Sequence, residues 1–138
     1  MIIFLARTLP IHSVAEKVCL RSMTLKAEGG SNSVFDQLLT DLPAGTNALA
    51  LIAVGDLDEV DRWMGWSLLW WRPGDGCNLG VYVCPRWRRQ GIGRRLVLKQ
   101  VAVADNLGLV PYTITGDESA QTLFRACGVR PYTKGYEG

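Results

Sequence analysis

Apolar residues follow two kinds of spacing along this chain. Short continuous or alternating apolar runs between turn residues predict strands, and apolar residues three and four positions apart predict helices. The strand-like runs are residues 2–6, 47–55, 63–71, 78–84, 109–115 and 129–136. The helix-like runs are residues 13–28, 31–43, 92–106 and 119–127. A chain that mixes both kinds of element in this way is typical of α/β proteins.

Capping residues support the predicted helix ends. Ser13 and Glu16 have the spacing of a capping box, in which the serine oxygen accepts from the amide three residues on and the glutamate reaches back. The last helix is expected to be capped by Asp117 or Ser119. Glycines follow three of the predicted helices, at positions 29, 108 and 128.

The predicted elements follow the order β-αα-βββ-α-β-α-β. Three strands in a row between residues 47 and 84 predict an antiparallel meander, and the strand, helix and strand across residues 78–115 predict a parallel crossover. No linker and no repeat interrupts the chain. We therefore expect one domain, residues 1–138, with a mixed and mostly antiparallel sheet flanked by helices.

Charge and hydropathy narrow the class of protein. The net charge is +2, and five of the fifteen Lys and Arg residues lie within residues 85–95. General nucleic-acid binders carry a broader basic face, so nucleic acid is not an expected partner. The longest apolar run, residues 48–55, is much shorter than a membrane span, so no membrane association is expected.

The cysteines and the single histidine remove further classes. The four cysteines form no CxxC pair, and with His12 alone a zinc site of the usual spacing is not expected. Four reduced thiols suit a reducing cytoplasm, which is the expected location. No nucleophile-elbow signature accompanies His12, so a nucleophile–histidine–acid arrangement is not expected either.

The segment PRWRRQGIGRR, residues 85–95, lies between a predicted strand and a predicted helix. A glycine-rich turn that opens a helix presents unpaired backbone amides at the positive end of the helix dipole. Gly91 and Gly93 let the chain turn tightly and let a ligand approach. The segment matches neither a P-loop nor a Rossmann fingerprint, so it predicts a phosphate-binding loop of another kind. The side chains that can add charged contacts to phosphate are Arg88, Arg89 and Arg94.

This segment resembles the main signature of the GCN5-related N-acetyltransferase superfamily. There, a strand ending in V-x-P precedes R/Q-x-x-G-x-G/A at the start of a helix. Here the two parts read Val83-Cys84-Pro85 and Arg88-Arg89-Gln90-Gly91-Ile92-Gly93, and the order of elements matches over nearly the whole chain. The resemblance implies acetyl-coenzyme A, or a related acyl-CoA, lying between the splayed third and fourth meander-type strands.

The resemblance also implies roles around that co-substrate. Backbone amides from Arg89 to Arg94 would hold the pyrophosphate, and the strand around Tyr82 and Val83 would pair with the pantetheine arm. A backbone amide near Val81 or Tyr82 would polarise the thioester carbonyl. The expected cofactor-binding residues are Val81, Tyr82, Val83, Arg88, Arg89, Gln90, Gly91, Ile92, Gly93, Arg94, Asp117 and Phe124.

A second family signature, N-x-x-A-x-x-L/F-Y-x-x-x-G-F, is matched only in part by residues 117–129. Phe124 stands where many relatives have the tyrosine that protonates the leaving thiolate, and phenylalanine has no proton to give. We expect Phe124 to form a wall of the cofactor groove instead. The remaining proton donors are water, Ser119, Cys127 and Tyr132.

A general base is also hard to find, because the strands at 48–54, 64–71 and 78–84 contain no carboxylate. Tyr82 is the nearest titratable side chain, and its phenol would need a strongly lowered pKa. The alternatives, whose positions the sequence leaves open, are Asp75, His12 and Glu28. The candidate catalytic residues are therefore Tyr82, Ser119 and Cys127.

Two features bear on the acceptor. The acidic turn at residues 56–61 would attract a cationic amine or a lysine-rich peptide, or it is a solvated hairpin. Strand alternation puts Trp66 and Trp70 on one face and Trp63 and Trp71 on the other. These tryptophans pack in the core, or an exposed pair forms a substrate platform or a protein-contact patch.

The sequence therefore predicts an N-acetyltransferase that moves an acetyl group from acetyl-CoA directly to a primary amine of a small molecule or a protein. The alternative is an acyl-CoA-binding or protein-interaction module on the same fold with weak or no turnover. Phe124 and the strands without carboxylates motivate that alternative. The acceptor, the acyl chain length and the oligomeric state stay open.

Overall fold

The structure, a computed structural model, describes residues 2–18, 20, 41–55, 63–74, 76–113 and 118–131. Six strands form one sheet in chain order. They are β1 Ile3–Thr8, β2 Asn47–Val54, β3 Trp63–Arg72, β4 Gly76–Val83, β5 Pro111–Thr113 and β6 Arg130–Pro131. The helices are α1, Ile92–Asn106, and α2, Glu118–Ala126, and residues 14–18 are also helical. The predicted helix at 31–43 lies mostly outside the described residues, and so does the acidic turn.

The sheet is mixed, as predicted. Strands β1 to β4 pair antiparallel with their neighbours. Strands β4 and β5 pair in parallel, and so do β5 and β6. The meander and the crossover through α1 are therefore confirmed, and with them the α/β fold class.

Strand β1 differs from its prediction as a short buried strand at residues 2–6. It runs from Ile3 to Thr8 at the edge of the sheet, and its side chains alternate between exposed and half-buried. The pairing continues past the apolar run because backbone groups make the ladder, and Thr8 still pairs with Leu49. The apolar run alone therefore set the end of this strand too early.

Only one of the two hydrogen bonds of the predicted capping box forms at the first helical segment. The Glu16 amide donates to the Ser13 hydroxyl at 3.3 Å, as predicted. The Glu16 carboxylate does not reach back, however, because it accepts two hydrogen bonds from Arg7, at 3.0 and 3.1 Å. A bidentate guanidinium is a stronger partner for a carboxylate than a backbone amide.

The ends of the last two helices follow the glycine signals. Gly108 and Gly128 both adopt positive φ, at 72° and 82°, directly after α1 and α2. The prediction that Ser119 caps α2 was wrong, because Ser119 lies inside a helix that begins at Glu118. Asp117, the other predicted cap, lies outside the described residues.

The sheet has apolar side chains on both faces. On the face that carries α1 and α2, the helix face, Leu79, Val97 and Phe124 belong to one buried cluster. Ile92 and Leu96 of α1 pack in a second cluster on that face, against β2 and β3. The opposite face has its own buried cluster, which includes Ile52, Leu68, Trp66, Tyr82, Leu9 and Leu20.

The tryptophans of β3 occupy these faces nearly as predicted. Trp66 and Trp70 pack on the opposite face, and Trp71 packs on the helix face. The placement of Trp63 was wrong, because it joins Trp66 on the opposite face. The register shifts between Ala53 and Val54, which leaves one extra residue on β3 and reverses the alternation beyond it.

Two polar side chains fix α1 across the sheet. Gln100 is fully buried, and its amide nitrogen donates to the carbonyl oxygens of Leu49 and Ser67, at 3.0 and 3.3 Å. The Ser67 hydroxyl donates to the Leu96 carbonyl at 3.4 Å. The apolar spacing of α1 gave no sign of Gln100, because the residue is polar. These bonds hold α1 over β2 and β3, so its first turn lies at the end of β4.

Candidate functional site

The segment between β4 and α1 begins with a short helical turn and continues as an irregular loop. Residues Pro85–Trp87 form one turn of 3-10 helix. The Trp87 amide donates to the Cys84 carbonyl at 2.8 Å, and the Cys84 amide donates to Met64 of β3 at 2.8 Å. The turn is therefore tied to the sheet and sets the place where the loop begins.

The loop backbone contains two left-handed residues before α1. Gly91 has φ 78°, and Arg89, which is not a glycine, has φ 64°. A left-handed non-glycine residue costs about 1–2 kcal/mol, and such strain is often kept where a ligand is bound. A Cβ atom added at Gly91 would meet nothing within 4 Å. The loop therefore leaves open space next to Gly91.

The start of α1 leaves backbone amides available for a ligand. The first hydrogen bond of the helix runs from the Arg95 amide to the Gly91 carbonyl at 3.1 Å. Gly91 is the N-cap residue and provides no side-chain cap. The amides of the three residues between them therefore have no acceptor within the helix. Such a helix start, at the positive end of the dipole, is suited to phosphate.

The two loop glycines have different reasons for being glycine. A Cβ added at Gly93 would lie 3.1 Å from Leu123 and 3.4 Å from Val83. Gly93 therefore lets α1 pack closely on α2 and β4, and ligand approach alone does not explain it. Ile92 between them is 1% exposed and can meet a ligand only through its backbone.

Strand β4 presents backbone groups to the side away from β3. The bond from the Cys84 amide to Met64 directs alternate residues of β4, including Tyr82, toward β3. By the same alternation the amide and carbonyl groups of Val81 and Val83 point toward β5. The described pairing between β4 and β5 covers only Cys77 with Pro111 and Asn78 with Tyr112. Val81 lies beyond these described pairs, on the side of β4 that faces away from β3.

Tyr82 and Arg88 meet on the opposite face of the sheet. Tyr82 is 8% exposed, and its ring lies 6.2 Å from that of Trp66. The Arg88 Nε donates to the Val83 carbonyl at 2.8 Å, and its guanidinium carbon lies 5.6 Å from the Tyr82 ring centre. The Arg88 side chain is therefore turned back onto β4 and away from the amides at the start of α1.

The remaining arginines of the loop have separate surroundings. Arg86 stacks on the Trp87 ring at 4.9 Å, and Trp87 packs at the edge of the helix-face core. Arg95 lies 4.8 Å from the ring centre of Phe4 on β1. Arg89, Gln90 and Arg94 are exposed around the loop.

The structure contradicts the expected place of Phe124. Its side chain is 1% exposed and packs in the helix-face core with Leu79 and Val97. It is therefore a core residue, and the expectation of a groove wall was wrong because α2 turns this position toward the sheet. No hydroxyl is present at this position in any case.

The candidate proton donors on α2 differ in exposure. Cys127 is 9% exposed; burial raises the pKa of its thiol above the ordinary value of a thiol, and the nearby Arg94 guanidinium opposes part of that rise. The thiol is therefore protonated at neutral pH. Ser119 is exposed in the first turn of α2, at the opposite end of the helix from Cys127. In the core, burial raises the pKa of the Cys77 thiol to about 11.

Other predicted site residues cannot be placed. Asp117, Tyr132, Asp75 and Glu28 lie outside the described residues. His12 is exposed in the segment before the first helical residues. Among the described residues, no cluster of three or more His, Cys, Asp or Glu side chains could hold a metal ion. No helix in the described part of the chain is long and apolar enough to cross a membrane.

A family model described as acetyltransferase (GNAT) domain matches residues 48–131, which is more than half of the chain. The chain belongs to the GNAT acetyltransferase family. The match spans β2 to β6 and therefore includes the loop, the start of α1 and α2. It confirms the resemblance read from the loop motif. No curated protein matches the sequence of this GNAT chain significantly.

Solved structures of acyltransferases show the same fold. The catalytic domain of a Tetrahymena GCN5 histone acetyltransferase in complex with coenzyme A has a TM-score of 0.70 at 13% identity, covering 97% of this chain and 80% of that one. An acyl-CoA N-acyltransferase from Pseudomonas aeruginosa has a TM-score of 0.73 at 18% identity, covering 97% and 92%.

A Bacillus subtilis acetyltransferase in complex with CoA has a TM-score of 0.63 at 19% identity, covering 91% of this chain and 76% of that one. At such identities the likeness establishes the fold. Together with the family match, it confirms the predicted GNAT-like α/β architecture and acetyl-coenzyme A as the co-substrate that this family uses.

Proposed function

We propose that this protein transfers an acetyl group from acetyl-coenzyme A directly to a primary amine. The observation that carries the proposal is the loop that ends at Gly91, where three amides at the start of α1 have no acceptor in the helix. Beside it, β4 turns the backbone groups of Val81 and the amide of Val83 away from β3, and the Val83 carbonyl already accepts from Arg88. One site binds anions and the other pairs with an extended chain, and coenzyme A offers a pyrophosphate and a pantetheine arm.

The chain's own groups fit this co-substrate in three places. The amides of residues 92–94 donate hydrogen bonds to the pyrophosphate oxygens, and the exposed Arg89 and Arg94 add positive charge beside it. The pantetheine arm lies along β4 like an added strand. The Val81 amide is then the donor for the thioester oxygen, because its neighbour Tyr82 turns its own amide toward β3.

The reaction forms one bond and breaks one. The free amine nitrogen attacks the thioester carbonyl carbon, and the new C–N bond gives a tetrahedral oxyanion that the Val81 amide stabilises. The oxyanion collapses, the C–S bond breaks and coenzyme A leaves as a thiolate. The amine loses its proton to water, and the thiolate takes a proton from water or from the Cys127 thiol. Phe124 takes part in neither proton transfer, because its side chain has no proton to give or accept.

The test is acceptor-dependent release of coenzyme A. Purified protein is incubated with acetyl-CoA and a panel of amines, amino acids and lysine peptides, and free thiol is measured against a control without amine. We expect saturable release with at least one acceptor, and an acetylated product one acetyl group heavier by mass spectrometry. Release that never exceeds the control with amine absent would contradict the proposal.

The second candidate is an acyl-CoA-binding module without turnover. It is supported by the burial of Phe124 at the position of the usual acid and by the lack of carboxylates in β2, β3 and β4. This candidate predicts that acetyl-CoA binds, as measured by calorimetry, while no member of the panel releases thiol. The same two measurements therefore separate the two functions.

A further inference from the structure

The side chain of Arg88, one of the loop arginines, folds back onto β4. Its Nε donates to the Val83 carbonyl at 2.8 Å, at the end of β4. Its guanidinium carbon also lies 5.6 Å from the centre of the Tyr82 ring. These two contacts hold an otherwise flexible side chain against one strand, although the residue is exposed.

The Arg88 guanidinium lies on the opposite face of the sheet from α1. Tyr82 packs in the buried cluster of that face with Trp66 and Ile52, whereas α1 packs on the helix face. Arg94, by contrast, lies close enough to Cys127 to influence its thiol on the helix face. The loop therefore divides its positive charge between the two faces.

Four N–H donors of Arg88 remain for a ligand. A guanidinium has five donors, and Nε uses one of them on Val83. No other hydrogen bond or ion pair of Arg88 is made within the described part of the chain. Strands β2, β3 and β4 and the loop to Arg95 contain no Asp or Glu that would compete for these donors. The two Nη groups form a fork that matches a carboxylate.

We propose that Arg88 selects an acceptor that carries a carboxylate close to its amine, such as an amino acid or the C-terminal end of a short peptide. The proposal rests on the proposed acetyl transfer and names the substrate class of that site. When acetyl-CoA lies along β4, its phosphate groups are at the start of α1. The acceptor then approaches the thioester from the face away from α1. Arg88, held beside Tyr82 on the face away from α1, binds the acceptor's carboxylate and so brings its amine toward the carbonyl carbon.

The test compares acceptors that differ only in the carboxylate. Glycine, alanine and phenylalanine are each assayed against their amides with wild-type protein, and KM and kcat are measured for every acceptor and for acetyl-CoA. We expect the acids to have kcat/KM roughly ten- to hundred-fold above the amides. Because the amines of the amides are less basic, a larger fraction of them is unprotonated near neutral pH, so protonation of the amine would favour the amides over the acids.

Two variants of Arg88 and one matched control complete the test. Arg88→Gln is expected to remove the preference by raising KM for the acids, and to raise KM for acetyl-CoA by a smaller factor, because Arg88 also lies at the end of the strand along which acetyl-CoA is placed. Arg88→Lys, which keeps the charge and loses the fork, is expected to restore part of the preference. Arg86→Gln makes the same charge change in the same segment at a side chain that stacks on Trp87, and it should leave the preference intact.

Other results would overturn either the carboxylate preference or the acetyl transfer, and the two can be told apart. Equal kcat/KM for acids and amides, or no turnover of any acid while uncharged amines react, overturns the carboxylate inference and leaves acetyl transfer standing. An Arg88→Gln protein that weakens acetyl-CoA and leaves the acid preference unchanged would show that Arg88 holds phosphate. Wild-type protein that binds acetyl-CoA and acetylates nothing would overturn the transfer itself.

Discussion

At the scale of single residues, two glycines of the sheet, Gly65 and Gly80, differ in the room they leave for a side chain. A Cβ added at Gly65 of β3 would collide with the Tyr82 carbonyl oxygen and lie 2.9 Å from the Val83 Cα. Both are backbone atoms of the strand that carries the site, so neither can move aside. At Gly80 of β4 the same Cβ would lie 3.8 and 3.9 Å from two tryptophan rings, which is ordinary contact.

Gly65→Ala is therefore expected to lower the free energy of unfolding by roughly 2–3 kcal/mol, because β3 and β4 must separate to admit the methyl group. Gly80→Ala is its matched control, since it adds the same methyl group in the neighbouring strand. There we expect no loss, and a gain of up to about 1 kcal/mol from reduced freedom of the unfolded chain. Urea unfolding of both variants measures the difference, and equal stabilities would show that β3 and β4 are not as close as described.

Sequence patterns predict some residues of the site and not others. The loop glycines and arginines stand at motif spacing, so their segment could be assigned to phosphate binding from the sequence. The packing role of Gly93 could not be, because it depends on Leu123 of α2, which is 30 positions away in the chain. Phe124 was misplaced for a related reason, since a motif position carries no information on which way a helix is rotated.

At the scale of elements, β4 links the fold to the site. It pairs with β3 along its length, and in the described part of the chain it pairs with β5 at Cys77 and Asn78. Because backbone groups alternate, Tyr82 turns its amide to β3 and Val81 turns its amide to the other side. The strand therefore completes the meander with one set of amides and is left with another set for a ligand.

Hydrogen exchange at single amides tests this division. We expect the Tyr82 amide to exchange slowly in free protein, because β3 holds it. The Val81 amide is expected to exchange faster and to slow at least ten-fold when acetyl-CoA is added, because the pantetheine arm then pairs with it. NMR exchange rates with and without acetyl-CoA give both values. A Val81 amide that is as slow as Tyr82 without ligand, or that ignores the ligand, contradicts the proposed arm position.

The kinds and order of the elements followed from the sequence more fully than their faces did. Apolar spacing found the meander, α1 and α2, because each buries a continuous stripe. It missed the face of Trp63, because the extra residue in β3 inverts the alternation between that residue and the start of the strand. It also missed Gln100, whose bonds to β2 and β3 need no apolar side chain.

At the scale of the whole molecule, the family match and the loop agree on one co-substrate. The GNAT domain match and the shared fold place the loop at the join of β4 and α1, where amides without acceptors meet exposed arginines. The acceptor side is less determined by the family, and within the described part of the chain the chemical preference that we propose for it rests on Arg88. The central claim of this account is therefore that the start of α1 binds the phosphates of acetyl-CoA.

Calorimetric titration of acetyl-CoA into the Gly91→Asp and Gly91→Asn proteins tests that claim most directly. The two side chains have the same shape, both tolerate left-handed backbone, and the space beside Gly91 is open, so the pair differs essentially in one negative charge. Both side chains enter space that we assign to the pyrophosphate, so both variants are expected to bind more weakly than wild type. We predict that Gly91→Asp loses at least ten-fold more affinity than Gly91→Asn through repulsion of the pyrophosphate. Equal affinities for the two variants, with both proteins folded, would contradict the account.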